Sequence, residues 1–255
     1  MTVPAAGLIC GGGVTQSFLA RLPSVLSAVG PVKSVSLRVA RRMANSLRAG
    51  YAVDDPAAVA GCDLVWIVLS DDRLDATIGE LGTSLVRKNI IVCDSERDSR
   101  SIQIPGARIA TLNAVDQGER IFVTEGNPPL LRVLNRILTH EHRKLIELRP
   151  SAKALFFAGV HLSGQLLLPQ FAAGVEGLRA AGFTRKDAIR VAEALAARAL
   201  RAYAKAGRKA WSPAAETELR RSLERDAATI GSIDSRLGDV YTAAVTQALE
   251  YFKEP

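Results

Sequence analysis

The hydrophobic and polar positions of this chain fall into two regions with different periodicity. Up to about Leu148, short apolar runs of strand length alternate with amphipathic segments of helix length. The run Leu64–Leu69 is uninterrupted, which is typical of a central parallel strand covered on both faces. From Pro150 onward the strand pattern is gone and only helical patterns remain. The sequence therefore predicts two domains, residues 1–149 and residues 150–255.

The first region predicts a doubly wound, mostly parallel α/β sheet of the Rossmann type, because strands and helices alternate regularly. Its predicted strands are Gly7–Cys10, Val32–Leu37, Ala52–Asp54, Leu64–Leu69, Asn89–Cys93, Ile121–Val123 and Lys144–Leu148. Its predicted helices are Val14–Ala28 (divided by Pro23), Arg41–Ala49, Leu74–Leu85 and Pro129–Leu138. In a sheet of this kind a ligand binds at the carboxyl ends of the strands.

The second region predicts an all-helical domain. Its helices are expected at Ser151–Ala181, Arg185–Ala206, Pro213–Thr229 and Asp234–Phe252. Ser151 and Thr184 are candidate N-caps, and Gly182 and Gly207 are stop signals. The first of these helices is apolar around most of its circumference, so it needs cover on all sides. We expect a homodimer formed through this domain; the alternative is burial of the helix within one chain.

Three consecutive glycines after the first strand predict a phosphate site. A strand that turns directly into a helix leaves backbone N–H groups free, and the helix N-terminus adds positive charge. Gly11 permits the tight turn and Gly13 a close approach of the backbone to a pyrophosphate, while the third glycine of the dinucleotide fingerprint is replaced by Gln16. The predicted cofactor-binding turn is Gly11, Gly12, Gly13, Val14, Thr15 and Gln16; the alternative is an ordinary strand-to-helix turn.

Further candidate cofactor contacts follow three other strands. After the second strand the chain carries Arg38 and Arg41 and no carboxylate, and because arginine binds phosphate in a bidentate fashion this favours NADP(H) over NAD. The alternative is a basic, solvated helix face. Ser70 and Asp71 after the fourth strand, and Asp94 after the fifth, offer acceptors to the cofactor. The alternative for Asp71, or for its neighbour Asp72, is an N-cap of the next helix.

Composition narrows the classes of partner. The 33 basic residues against 26 acidic ones give a net charge of +7, but they are spread along the chain and aromatics are only 5%, so nucleic-acid binding is not expected. Cys10, Cys62 and Cys93 lack metal-site spacing and predict buried, reduced thiols in a cytoplasmic protein. The N-terminus lacks signal-peptide features, and the apolar runs are shorter than the roughly 20 residues of a membrane span.

Several segments resemble a poorly characterised Rossmann-like branch of the pyrroline-carboxylate reductase / β-hydroxyacid dehydrogenase superfamily. The resemblance rests on the two-region layout and on four segments: G-G-G-V-T-Q-S followed by F-L-A-R-L-P, L-V-W-I-V-L-S-D-D-R-L (64–74), K-A-L-F-F-A-G-V-H-L-S-G-Q (153–165) and E-R-D-A-A-T-I (224–230). It implies a Rossmann domain followed by a helical dimerisation domain. It also places the arginines after the second strand at the superfamily's cofactor-selectivity position.

The chain departs from the branch at several polar positions. A His-Pro segment of the relatives is absent near residues 109–115, their Tyr-His pair is Phe156–Phe157, and a later Asn is Gln165. Ser70 replaces a proline, and the glycine of an Arg-Gly-Asp segment is missing before Asp226. These replacements indicate a different substrate or a lost activity.

Hydride transfer requires positioning and one proton donor from the protein, because the cofactor carries the chemistry. The candidate catalytic residues are Lys153, which would donate a proton or bind an acidic substrate, and His161. The alternatives are a solvated helix-end lysine and a satisfied core histidine. Arg225 and Asp226 form either a site segment or a helix ion pair, and His140 and His142, two residues apart on a helix, indicate a surface role without metal.

Two main hypotheses follow from these features, and nucleic-acid binding is a third, weaker one. The first is an NADP(H)-dependent oxidoreductase that acts on a small anionic keto or imino compound. The second is a non-catalytic Rossmann protein, a ligand sensor or an assembly partner, with a degenerate cofactor site.

Overall fold

A computed structural model describes residues 4–11, 18–115 and 120–252 of the chain. The chain divides into two compact units, residues 1–159 and residues 160–255. The division falls inside a helix rather than in the connecting segment that precedes it. The domain limits of 1–149 and 150–255 stay a prediction.

The first unit contains a mixed sheet of eight strands. They are β1 (Ala6–Cys10), β2 (Val29–Lys33), β3 (Tyr51–Ala52), β4 (Leu64–Val68), β5 (Asn89–Cys93), β6 (Arg108–Ala114), β7 (Ile121–Gly126) and β8 (Lys144–Glu147). Their order across the sheet is β3-β2-β1-β4-β5-β6-β7-β8. The β6–β7 pair is antiparallel and the other pairs are parallel. The predicted Rossmann-type sheet is confirmed, with one strand, β6, that the sequence analysis did not predict.

Helices cover both faces of this sheet. They are α1 (Pro23–Ala28), α2 (Leu37–Leu47), α3 (Pro56–Ala60), α4 (Asp71–Leu81), α5 (Pro128–His140) and α6 (Lys153–Ser163), the last of which crosses into the second unit. Trp66 and Val68 pack into the core on one face, and Val65 and Ile67 into the core on the other. This two-sided burial is why the strand Leu64–Val68 is apolar at every position.

The second unit is helical, with α7 (Leu167–Ala180), α8 (Arg185–Ala206), α9 (Pro213–Ile233) and α10 (Ser235–Phe252). Thr184 caps α8 by accepting a hydrogen bond from the Asp187 N–H at 3.2 Å, as predicted. Gly182 and Gly207 adopt φ values of +102° and +56°, which end α7 and α8 at the predicted stop signals.

The predicted single helix over Ser151–Ala181 is wrong, because a turn at residues 164–166 separates α6 from α7. Ser151 is not an N-cap: it has a φ of +61° and α6 begins two residues later, at Lys153. Taken together, Lys153–Ala180 is long and apolar enough to cross a membrane by length and composition, with a mean hydropathy of 1.2 over the best window. The prediction that every apolar stretch is too short for a membrane span is therefore wrong for this segment, and the expectation of no membrane partner stays a prediction.

Candidate active site

The carboxyl ends of β1, β4 and β5 form the edge of the sheet at which a Rossmann ligand is expected. β1 lies between β2 and β4, so the chain leaves β1 towards one side and returns to β4 on the other. In open α/β sheets, ligands bind outside the strand ends at such a reversal of strand order. Cys10, Val68 and Cys93 are the last residues of the three strands and lie in register. The residues that follow them therefore converge on one site.

Gly11 is the first residue beyond β1 and the start of the predicted glycine turn. A methyl group at this position would lie 3.1 Å from Leu69 Cδ2, so the backbone approaches the end of β4 closely. Gly12, Gly13, Val14, Thr15 and Gln16 lie outside the described residues. Their assignment to the cofactor, like that of Gly11, stays a prediction.

The predicted selectivity arginines lie just beyond β2. Ser34 fixes the end of this strand, because its hydroxyl donates a hydrogen bond to the Cys10 carbonyl at 2.5 Å. α2 then begins behind the N-cap Ser36, whose oxygen accepts from the Val39 N–H. Arg38 and Arg41 are exposed on this helix, and neither forms an ion pair with any described residue. Both guanidinium groups are therefore available to an anion near the end of β2.

Asp71 joins the end of β4 to the segment that follows β5. It lies in the first turn of α4, behind Ser70 at the N-cap position, and its carboxylate accepts hydrogen bonds from the Ser95 hydroxyl and, at 3.0 Å, from the Glu96 N–H. The interpretation of Asp71 or Asp72 as an N-cap is wrong, since both follow the cap. Contact of Ser70 and Asp71 with a cofactor stays a prediction.

Asp94 follows β5 in a left-handed conformation, with a φ of +55°. Burial raises the pKa of its carboxyl group; the positive charge of Arg21 opposes this rise and the negative charge of Asp71 adds to it. Asp94 and Asp71 thus bring two carboxylates to the same end of the sheet. The contact of Asp94 with a cofactor also stays a prediction.

Residues 95–99 form a segment held at both ends by carboxylates, of which Asp71 is half-buried and Glu125 is buried. Asp71 holds Ser95 and Glu96, as above. Glu125, on β7, holds Ser99 by accepting from its N–H at 2.8 Å and its hydroxyl at 2.6 Å, and it accepts from Thr111 at 2.8 Å. Between these two clamps the Arg97 carbonyl accepts a hydrogen bond from Lys153 Nζ at 2.6 Å. The segment therefore presents a fixed acceptor to the lysine.

Lys153 is a buried amine, with 2% of its surface exposed, so the alternative of a solvated helix-end lysine is wrong. Burial lowers the pKa of its ammonium group to about 8, against the opposing charges of Glu125, Asp71, Asp98 and Cys93. An ammonium group has three N–H donors, and one of them is used by the Arg97 carbonyl. A lysine with such a pKa can both hold and release a proton near neutral pH.

The other candidate residues are three histidines and one ion pair. His161 is half-buried in α6 but belongs to the second unit, and its catalytic role stays a prediction. His140 and His142 are both exposed at the end of α5. Arg225 and Asp226 form an exposed ion pair at 2.7 Å, which matches the alternative of a helix pair.

Glu125 and its partners are not among the site residues predicted from the sequence. The available signal was a carboxylate in the apolar strand I-F-V-T-E-G, because a charge is buried only where donors compensate it. A cavity of about 660 Å³ also opens beside Glu125, but it is lined by Ile109 and Gly126. Ile109 pairs with Ile90 near the start of β5, so this cavity lies towards the opposite edge of the sheet. Strand order, rather than cavity size, therefore identifies the candidate site.

Comparison with solved structures gives the class of fold. The chain is similar to a pyrroline-5-carboxylate reductase from Coxiella burnetii, with 15% identity, a TM-score of 0.58 and coverage of 99% of this chain and 100% of that one. It is similar to the Plasmodium falciparum pyrroline carboxylate reductase with NADP bound, with 12% identity, a TM-score of 0.57 and coverage of 99% and 100%. It is also similar to an imine reductase from Myxococcus stipitatus in complex with NADP+, with 12% identity, a TM-score of 0.65 and coverage of 97% of this chain and 95% of that one.

The chain thus has the fold of the pyrroline-carboxylate reductases and imine reductases, a Rossmann sheet followed by a helical region. The resemblance seen in the sequence is confirmed at this level. No family model matches the sequence, and no curated protein matches it.

Proposed function

We propose that this chain is an NADP(H)-dependent oxidoreductase that reduces or oxidises a small anionic keto or imino compound. The observation that carries the proposal is the buried amine of Lys153, held beside the carboxyl edge of a Rossmann sheet. The structural neighbours support the same class of reaction, since they are reductases of imines or of pyrroline carboxylate and two of them have NADP bound.

The described residues fit a dinucleotide phosphate at two places. Gly11 has no side chain to block the backbone at the end of β1, and Arg38 and Arg41 supply guanidinium groups beyond β2. We assign the extra phosphate of NADP(H) to these arginines, because a guanidinium group binds phosphate in a bidentate fashion. The nicotinamide, when bound, would exchange a hydride with the substrate carbon.

In this proposal Lys153 is the residue that donates or accepts the proton. In the direction of reduction its ammonium group gives one proton to the oxygen or nitrogen of the substrate, and in oxidation the neutral amine takes it back. The same positive charge favours a substrate that carries a carboxylate. Glu125, Ser99 and the Arg97 carbonyl keep the amine in place.

Titration of the pure protein with NADPH, followed by nicotinamide fluorescence, tests the proposal. We expect saturable binding, tighter for NADPH than for NADH, and turnover with at least one member of a panel of keto and imino acids. Lys153→Met is expected to bind NADPH and to lose turnover. No change of fluorescence at millimolar NADPH would contradict the proposal.

One observation favours the second candidate, a non-catalytic Rossmann protein. Phe156 and Phe157, at positions that are polar in the resembling branch, lie in edge-to-face contact with ring centroids 5.0 Å apart. Two apolar rings in this place remove possible donors to a substrate. Binding of NADPH without turnover across the whole panel would support this candidate over the enzyme.

We also propose a homodimer formed through the helical region. Its described residues bury few hydrophobic side chains, namely Val175, Ala188, Ala192, Val245 and Leu249. Large apolar side chains instead stay exposed, among them Leu162, Leu168, Leu200 and Ile233. A second copy would cover this surface. Sedimentation equilibrium should give twice the chain mass of 27.2 kDa, and the mass of a single chain would contradict the dimer.

A further inference from the structure

Arg73 is the third residue of α4, and its guanidinium group lies close to the end of β1. A methyl group built at Gly11 would be 3.9 Å from Arg73 Nη1. The guanidinium therefore lies beside the first backbone position beyond β1, at the point where the strand order reverses. The side chain is exposed at this place.

Arg73 also has no acidic partner among the described residues, whereas neighbouring arginines do interact with acids. Arg97 forms an ion pair with Asp75. Arg21 acts on Asp94, whose pKa its charge lowers. The side chain of Arg73 enters no hydrogen bond or ion pair with the residues that the structure describes. Within the described part of the chain, the Arg73 guanidinium group is thus unpaired beside the end of β1.

The acidic residues near Arg73 indicate a role for its guanidinium group. Asp71, Asp72 and Asp94 bring three carboxyl groups to the strand ends. A diphosphate carries two negative charges, so these carboxyl groups oppose its approach unless a cation offsets them. An arginine supplies that charge together with a pair of N–H donors spaced for phosphate oxygens.

We propose that Arg73 binds the diphosphate of the dinucleotide at the end of β1. This inference rests on the proposed function. It separates two roles: Arg38 and Arg41, beyond β2, discriminate NADP(H) from NAD(H), while Arg73 binds the diphosphate that both cofactors share.

Dissociation constants of Arg73→Gln for NADPH, NADH and ADP-ribose test the assignment. We expect all three to bind about tenfold or more weakly, since a charge-assisted hydrogen-bonding partner is lost. The ratio of NADPH to NADH affinity should stay that of the wild type. Arg38→Gln should instead weaken NADPH selectively, and Arg132→Gln, an exposed arginine on α5, is the matched control for a lost surface charge. Thermal unfolding establishes that each variant is folded.

The outcomes separate the inference from the proposed function. If the wild type binds none of the three probes, both are overturned. If it binds them and Arg73→Gln binds them equally well, only the role of Arg73 is overturned. Selective loss of NADPH in Arg73→Gln would also overturn it, because the arginine would then bind the extra phosphate. Partial recovery in Arg73→Lys, which restores the charge without the bidentate geometry, is expected.

Discussion

At the scale of single residues, the buried amine of Lys153 is the strongest indication of a functional site. The sequence placed a lysine at the start of an apolar helix, and from there a solvated side chain was as reasonable as a catalytic one. Its burial depends on the Arg97 carbonyl, 56 residues away in the chain. No local pattern encodes a partner at that distance, so only the fold reveals that the amine is enclosed.

The lowered pKa of Lys153 predicts a specific dependence of stability on pH. Its folded-state pKa of about 8 is below the ordinary value of 10.5, so the buried charge destabilises the fold fully below pH 8. This cost disappears as the pH rises from 8 to 10.5, and is about 3 kcal/mol in total.

Lys153→Met removes the titrating group and with it this pH dependence. Urea unfolding at pH 7.5 and pH 10 should show that the wild type gains stability relative to the variant at the higher pH. The same difference between the two proteins at both pH values would contradict a buried, titrating lysine.

Glu125 is expected to position Lys153 as well as to hold Ser99. In Glu125→Gln the buried negative charge is lost, so the pKa of Lys153 should fall further, because the charge of Glu125 raises it. The variant should also unfold more easily, by about 1–3 kcal/mol, since a buried acceptor of three hydrogen bonds is changed.

The change in the pKa of Lys153 can be measured as the pH at which reductase activity is half lost. We expect it to move to lower pH in Glu125→Gln and to stay in place in Glu147→Gln, an exposed neighbour on β8. A variant that is less stable but keeps the wild-type pH profile would limit Glu125 to a structural role.

At the scale of elements, β6 shows where the sequence pattern fails. Its residues R-I-A-T-L-N-A include Thr111 and Asn113, which lower the apolar signal of a buried strand. Both are buried because they have partners: Thr111 donates to Glu125, and Asn113 Nδ2 donates to the Ser95 carbonyl at 2.9 Å. The strands β1, β4 and β5, by contrast, consist almost entirely of apolar residues and could be predicted from their composition alone.

The β6–β7 pair also predicts a position that tolerates only glycine. Gly126 has a φ of +130°, and a methyl group there would lie 2.4 Å from the Ile109 carbonyl oxygen. Gly126→Ala should lower the free energy of unfolding by about 3 kcal/mol or more, from backbone strain and overlap. Gly79→Ala is the control, since nothing lies within 4 Å of a methyl group there and helix propensity favours alanine. Equal stability of the two variants would contradict this packing.

At the scale of the whole molecule, the two-region organisation and the Rossmann-type sheet could be predicted, because alternation and periodicity are local properties of the sequence. The arrangement of carboxylates around the buried amine of Lys153 could not be predicted, because these groups are joined by contacts between distant segments. The helical region lay between these cases: its later helices were predicted within a few residues, but the break at residues 164–166 was missed because both flanking segments are apolar.

Calorimetric titration of the full-length protein with NADPH and with NADH tests the central claim most directly. We expect saturable binding of both cofactors, with NADPH bound more tightly than NADH, and a loss of this preference in Arg38→Gln. Absence of binding by either cofactor to folded wild-type protein would contradict it, and the chain would then keep the Rossmann architecture without the proposed activity.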